Sequence, residues 1–211
     1  MGCGKTPRNP LNAEKVYGVD VTVLDQHTND AMSKTTQVIC HDLSLGIPFE
    51  SDSLDSISAF DFLEHLPRWE RIGSSIEFPF VKLMSEVFRT LKPGGYFLAL
   101  TPGVPRIQAF TDPTHVNFIS IQSAEYFCST SEHVPSGAMY GFQGVFRILH
   151  NGWLRGGGPN LKESLLTKFN SESSSNVDKL IVLLKITKRV VRMLRIRKPS
   201  HIYWVFQKPH A

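Results

Sequence analysis

The chain has 211 residues, enough for one domain with a substantial core and too few for two independent ones. At 41% hydrophobic and 20% charged residues it has the composition of an ordinary globular protein, without the run of about 18 uncharged apolar residues that a membrane-spanning helix needs. The formal net charge is +4, yet between 177 and 198 eight basic residues face the single acid Asp178, so the rest of the chain is acidic, unlike a nucleic-acid-binding domain with lysines and arginines spread over a face. No apolar segment follows Met1, and Cys3, Cys40 and Cys128 are odd in number without metal-type spacing, which implies a reduced, cytoplasmic setting.

In chain order, residues 1–10 read as a loop, because Pro7 and Pro10 each remove a backbone donor and restrict the residue before them. Short apolar, β-branched runs predict buried strands at 16–21, 37–40, 56–60 and 96–100. Between the last two, Phe80, Leu83, Met84, Val87, Phe88 and Leu91 form the stripe of an amphipathic helix, which Pro93, Gly94 and Gly95 should end in a turn. Strand, helix and strand in this order predict a crossover between parallel strands and an α/β class. The pattern weakens through Asp112-Pro113-Thr114-His115 and becomes strand-like again at 145–149. A loop or linker is expected at 156–176, a basic amphipathic helix at 177–198 and a final strand at 201–206, all within a single domain spanning 1–211.

In open α/β sheets ligands bind beyond the carboxyl ends of strands. The residues there are Asp20, able to accept both hydroxyls of a ribose, and Asp42, while Gly2 and Gly4 would let the backbone approach a ligand closely. Three further runs, Ile47-Pro48-Phe49-Glu50-Ser51-Asp52-Ser53-Leu54-Asp55, Phe60-Asp61-Phe62-Leu63-Glu64-His65-Leu66-Pro67 and Val87-Phe88-Arg89-Thr90-Leu91-Lys92-Pro93-Gly94-Gly95-Tyr96-Phe97, follow in order. Together these features resemble the class I S-adenosylmethionine-dependent methyltransferases, of the type 11-like kind, from Gly2 to about Pro102. The resemblance implies a Rossmann-like, mostly parallel sheet flanked by helices, with S-adenosyl-L-methionine as cofactor. It matches Gly2 and Gly4 to the glycine loop around the methionine part, Asp20 to the ribose-binding acid and Asp42 with Leu43 to the adenine-contacting pair. Phe60 and Asp61 then lie where a strand opens toward the methyl group.

The sequence departs from that pattern at its start. The strand that normally precedes the glycine loop is missing, Thr6 stands where a third glycine is common, and no first helix follows. The expectation is an N-terminally truncated chain whose sheet faces a gap, poorly stable and weakly active. S-adenosylmethionine carries no phosphate to set on a helix N-terminus, which favours it over a dinucleotide.

Methyl transfer is an in-line displacement at a carbon activated by the sulfonium, so proximity and alignment supply most of the catalysis. Were the acceptor a hydroxyl, Asp112 and His115 are the candidate bases; alternatively they tie a proline turn together. His65 reads as the closing residue of a helical turn, and the eight histidines show no pair at ligand spacing, so no metal is expected. The expected acceptor is a small molecule, a sugar or a lipid-linked group; no nucleic-acid partner is expected, and the oligomeric state is not encoded.

The basic segment carries Leu180, Leu183, Leu184, Val190, Val191 and Leu194 on one face and Lys185, Lys188, Arg189, Arg192 and Arg195 on the other. Packing on the sheet with solvated charges is one reading; peripheral contact with an anionic membrane is the other. Met1-Gly2-Cys3-Gly4-Lys5-Thr6 also fits an acylation pattern, but an acyl group there would block the cofactor loop. Two alternatives to an active enzyme remain: a catalytically weak methyltransferase-like partner module, and a peripheral membrane protein led by the basic helix.

Overall fold

The computed structural model describes residues 1–4, 6–21, 35–129, 135–154 and 199–210. The expected linker at 156–176 and basic helix at 177–198 lie outside the described residues, so the membrane reading of that helix has no structural counterpart here.

The apolar runs form strands as their β-branched content demands. Val16–Asp20 (β1) and Thr36–Cys40 (β2) pair in parallel as a two-stranded sheet. Leu54–Phe60 (β3) pairs in parallel with Leu91–Pro102 (β6), and between them come a short antiparallel hairpin, Glu70–Ile72 (β4) with Ser75–Glu77 (β5), and the helix Pro79–Thr90 (α1). Gln108–Thr111 (α2) is one further helical turn. A five-stranded sheet has the order β3-β6-β9-β8-β7, in which His201–Gln207 (β9) runs antiparallel between β6 and Phe146–Leu154 (β8), with Cys128–Ser129 (β7) at the edge.

Two details differ from the pattern read in the sequence. Lys92-Pro93-Gly94-Gly95 is not a turn leading into the strand: β6 begins at Leu91, and the extra residues are absorbed where the register shifts between Leu54↔Leu91 and Ser56↔Tyr96. Gly94, at φ +81, supplies the left-handed backbone this needs. The strand expected at 145–149 extends to Leu154 because β8 pairs with β9 from Arg147 to Leu154.

Alternation along the strands divides the core. Phe97 and Ala99 of β6 and Trp204 and Phe206 of β9 pack against Leu83, Met84 and Val87 of α1, all buried. On the opposite face Leu98, Leu100, Tyr203 and Val205 pack with Leu11 from the N-terminal loop. An ionic clasp fixes α1 to the β2–β3 connection: Arg89 donates to both carboxylate oxygens of Glu86 (2.8 and 2.7 Å) and to the carbonyls of Ile47 (3.1 Å) and Phe49 (3.0 Å). Glu86 Oε2 also accepts the Ile47 N–H at 3.0 Å.

β1 and β3 are not paired with each other. Their facing edges border a cleft of about 290 Å³ lined by Tyr17, Val19, Phe49 and Ile57, among others, so the gap expected between these strands is present. The chain's first residues bridge it: the Met1 amino group donates to Ser58 O of β3 (2.7 Å) and Gly2 N–H to Val19 O of β1 (2.9 Å). Burial lowers the pKa of that amino group.

Candidate cofactor and acceptor site

The two bridging bonds put the carboxyl ends of β1 and β3 on either side of residues 1–4. Gly2 and Gly4 both have positive φ (+58 and +54). A Cβ on Gly2 would run into the Phe62 ring, whereas the space over Gly4 is open to 4 Å. Asp20 closes β1 with its Oδ2 accepting the Gly4 N–H at 2.7 Å, so the glycine loop is tied to the strand-end acid. Asp42 follows β2; its Oδ1 accepts the Ser44 N–H at 2.9 Å, and that bond holds its exposed carboxyl below the usual carboxylate range. Leu43, matched to the adenine-contacting pair, buries its side chain in the core. Phe60 is half-buried under the Arg8 guanidinium, 5.6 Å from the ring centre. Asp61 takes a left-handed conformation (φ +51), donates its N–H to Leu100 O (2.8 Å) and lies 3.3 Å from His201 Nε2.

The open left-handed glycine and the carboxylates after three successive strands suit a cationic, ribose-bearing ligand in chemistry. The cavity over Gly2, Cys3, Thr6 and Phe60 is about 100 Å³, smaller than the roughly 300–1,000 Å³ of small-molecule pockets, so as shaped it takes part of such a ligand. Burial raises the pKa of the neighbouring Cys3 thiol.

A second group forms beyond the ends of β3 and β6. Leu63–His65 makes a tight turn, as expected for His65. The Glu64 carbonyl accepts the N–H groups of both Val116 and Asn117 (2.9 Å each), and the Asn117 side chain donates to Leu63 O (3.1 Å). These bonds staple the 63–65 turn to the 112–117 loop, bringing the His65 and His115 rings to 4.9 Å between centres. Asp112 and His115, the expected acceptor-side residues, sit here together. The Asp112 Oδ1 accepts both the N–H (2.8 Å) and the hydroxyl (2.6 Å) of Thr114, which keeps its carboxyl ionised below the ordinary range and makes it a weak proton acceptor. Glu64 is buried, with Oε2 accepting the Thr101 hydroxyl at 3.0 Å, and burial raises its pKa. Glu64, Thr101, Thr114 and His201 were not expected in the site. Glu64-His65 and His115 each follow a strand, but only the stapling bonds bring them together. An apolar rim of Ile107, Phe110, Val116 and Phe118 stands exposed beside this loop.

Residues 1–99 match the family model described as the methyltransferase domain. That match covers just under half of the chain, the part that holds β1 to β3, α1 and most of β6. Among solved structures, a SAM-dependent methyltransferase from Archaeoglobus fulgidus is 16% identical with a TM-score of 0.50, covering 91% of this chain and 75% of that one. The complex of the Haloferax volcanii Trm112 methyltransferase activator with a candidate methyltransferase is 14% identical, TM-score 0.53, covering 94% and 73%. The [4+2]-cyclase SpnF is 14% identical, TM-score 0.51, covering 95% and 69%. These likenesses establish the α/β, Rossmann-like methyltransferase fold; that a cyclase shares it means the fold by itself does not name the reaction. No curated protein matches the chain. Among the described residues no helix is long and apolar enough to cross a membrane.

Proposed function

We propose that the chain is an S-adenosylmethionine-dependent methyltransferase, with the cofactor over Gly2, Gly4, Asp20 and Asp42, and that the methyl group goes to a small-molecule, sugar or lipid-linked acceptor seated against the 61–65 and 107–118 segments. The observation that carries this reading is the stapling of the Glu64-His65 turn to the Asp112–His115 loop beyond the ends of β3 and β6, with Phe62 just before that turn lying against Gly2 of the glycine loop. The cofactor supplies a methyl carbon activated by the sulfonium. Asp20 holds its ribose and the Gly2–Gly4 loop borders its methionine part, and Asp61 and Phe60 border the space between cofactor and acceptor. Asp112, fixed by Thr114, positions the acceptor loop, and His115 faces the acceptor. The exposed rim of Ile107, Phe110, Val116 and Phe118 favours an acceptor with an apolar portion.

The test is calorimetry with S-adenosylhomocysteine together with transfer of labelled methyl to panels of sugars, lipid-linked sugars and small hydroxyl compounds. Asp20→Ala removes a charged hydrogen-bonding partner, and about 1.5–3 kcal/mol of cofactor affinity should go with it. Equal affinity in both forms would exclude Asp20 from the site, and transfer to none of the panels would exclude these acceptor classes.

A further inference from the structure

We infer that Glu64, His65 and His115 form a binding site for a divalent transition-metal cation. One carboxylate oxygen of Glu64 and one ring nitrogen of each histidine lie within 4.8 Å of one another, a separation that small side-chain adjustments convert to a shared ion, which bonds nitrogen and oxygen ligands at roughly 2.0–2.2 Å. Two imidazoles and one carboxylate suit zinc, iron, cobalt or nickel better than magnesium or calcium, which take oxygen ligands.

The surroundings prepare the donors. His115 Nδ1 faces the carbonyl of Ala109 at 3.3 Å, and a carbonyl only accepts, so the proton sits on Nδ1 and the lone pair on Nε2. His65 Nδ1 is 2.9 Å from the Thr114 hydroxyl, whose own proton goes to Asp112 Oδ1 at 2.6 Å. His65 must therefore donate from Nδ1, and its lone pair also lies on Nε2. A ring orientated by a carbonyl and another by a hydroxyl–carboxylate relay are the outer contacts that metal-ligating histidines use. Two further features suit a cation. Glu64 is 1% exposed, and its Oε1 is shut from solvent without a hydrogen-bond partner. The Nε2 of His115 stands 3.9 Å from the Asp112 Oδ2, so an acceptor oxygen borders the nitrogen offered to the ion. A cation compensates both, where a buried carboxylate left unpaired is costly.

Three protein ligands leave coordination positions open, as in catalytic rather than structural sites. On the reading under "Proposed function", those positions take oxygen atoms of the acceptor, which a bound cation orients and renders more acidic.

The test uses the full chain stripped with a chelator, then titrated calorimetrically with Zn²⁺ and, for its visible absorption, with Co²⁺. One equivalent should bind, with the Co²⁺ bands of a nitrogen- and oxygen-ligated site. His65→Ala, at an exposed position, should weaken binding at least about 100-fold, and His65→Asp, which keeps a ligating oxygen, should weaken it less; Asp112→Asn should cost about 10–100-fold through His65. His210→Ala should change nothing. Absence of one-to-one binding, or binding undiminished in both His65→Ala and His115→Ala, would overturn the proposal. S-adenosylhomocysteine affinity, measured on the same samples, separates its failure from failure of the cofactor site.

Discussion

Arg89 is the residue on which the connection from β2 to β3 depends, and Arg89→Met isolates its role while keeping the aliphatic stem. The guanidinium makes two bonds to Glu86 and single bonds to the carbonyls of Ile47 and Phe49. Ile47 is buried, so its carbonyl loses a partner that water replaces only in part. Hydrogen bonds to charged groups contribute about 1.5–3 kcal/mol, but the four share one side chain and that side chain is 36% exposed, so the loss should be about 2–3 kcal/mol rather than their sum. For a chain of this length that is a fall in Tm of about 4–12 °C. The pH dependence carries the sign. The Arg89 hydrogen bond is the main cause that lowers the pKa of Glu86, so the stabilisation is complete above the unfolded glutamate pKa of about 4.3 and fades as pH falls through the lower folded value. The Tm difference between wild type and Arg89→Met, read by calorimetry, should be full at pH 7 and narrow as pH drops below about 4. A difference that stays constant across that range, or a loss under about 0.5 kcal/mol at pH 7, would refute the clasp.

Lys208 donates to Asp52 (2.6 Å) and to the carbonyls of Phe88 (2.9 Å) and Leu91 (2.8 Å) at the end of α1, with its ammonium 4.7 Å from the Phe88 ring centre. Lys208→Met should therefore lower stability by about 1–2 kcal/mol in denaturant titration. Because among the described residues β1 and β2 pair with no other strand, their amides should exchange with solvent at least about 10-fold faster than those of β6 and β9; equal protection by hydrogen-exchange mass spectrometry would mean that the two sheets open as one unit.

What the sequence made legible follows from periodicity. The stripe from Phe80 to Leu91 could only be a helix with one buried face, and the structure buries Leu83, Met84 and Val87. The hairpin at 70–77 was illegible because its strands are three residues long, too short for alternation to register, and Ile72 and Ile76 point to solvent. Lys92 to Gly95 misled because proline and paired glycines signal a turn locally, whereas here they bulge out between the Leu54↔Leu91 and Ser56↔Tyr96 pairs, with Gly94 and Gly95 bonded to the Lys208 main chain. The acids after the strands were legible for the same reason as the strands, since an acid closing an apolar run marks its carboxyl end. The Glu64, His65 and His115 cluster was not. Ligand-spacing rules detect donors on one turn or one helix face, but here the donors come from two loops whose proximity depends on Val116 and Asn117 donating to the Glu64 carbonyl, and main-chain bonds of that kind leave no signature in side-chain spacing. Eight histidines without a recognisable pair were therefore compatible with a three-ligand site all along, because the pairing was set by a backbone carbonyl and not by the interval between the histidines.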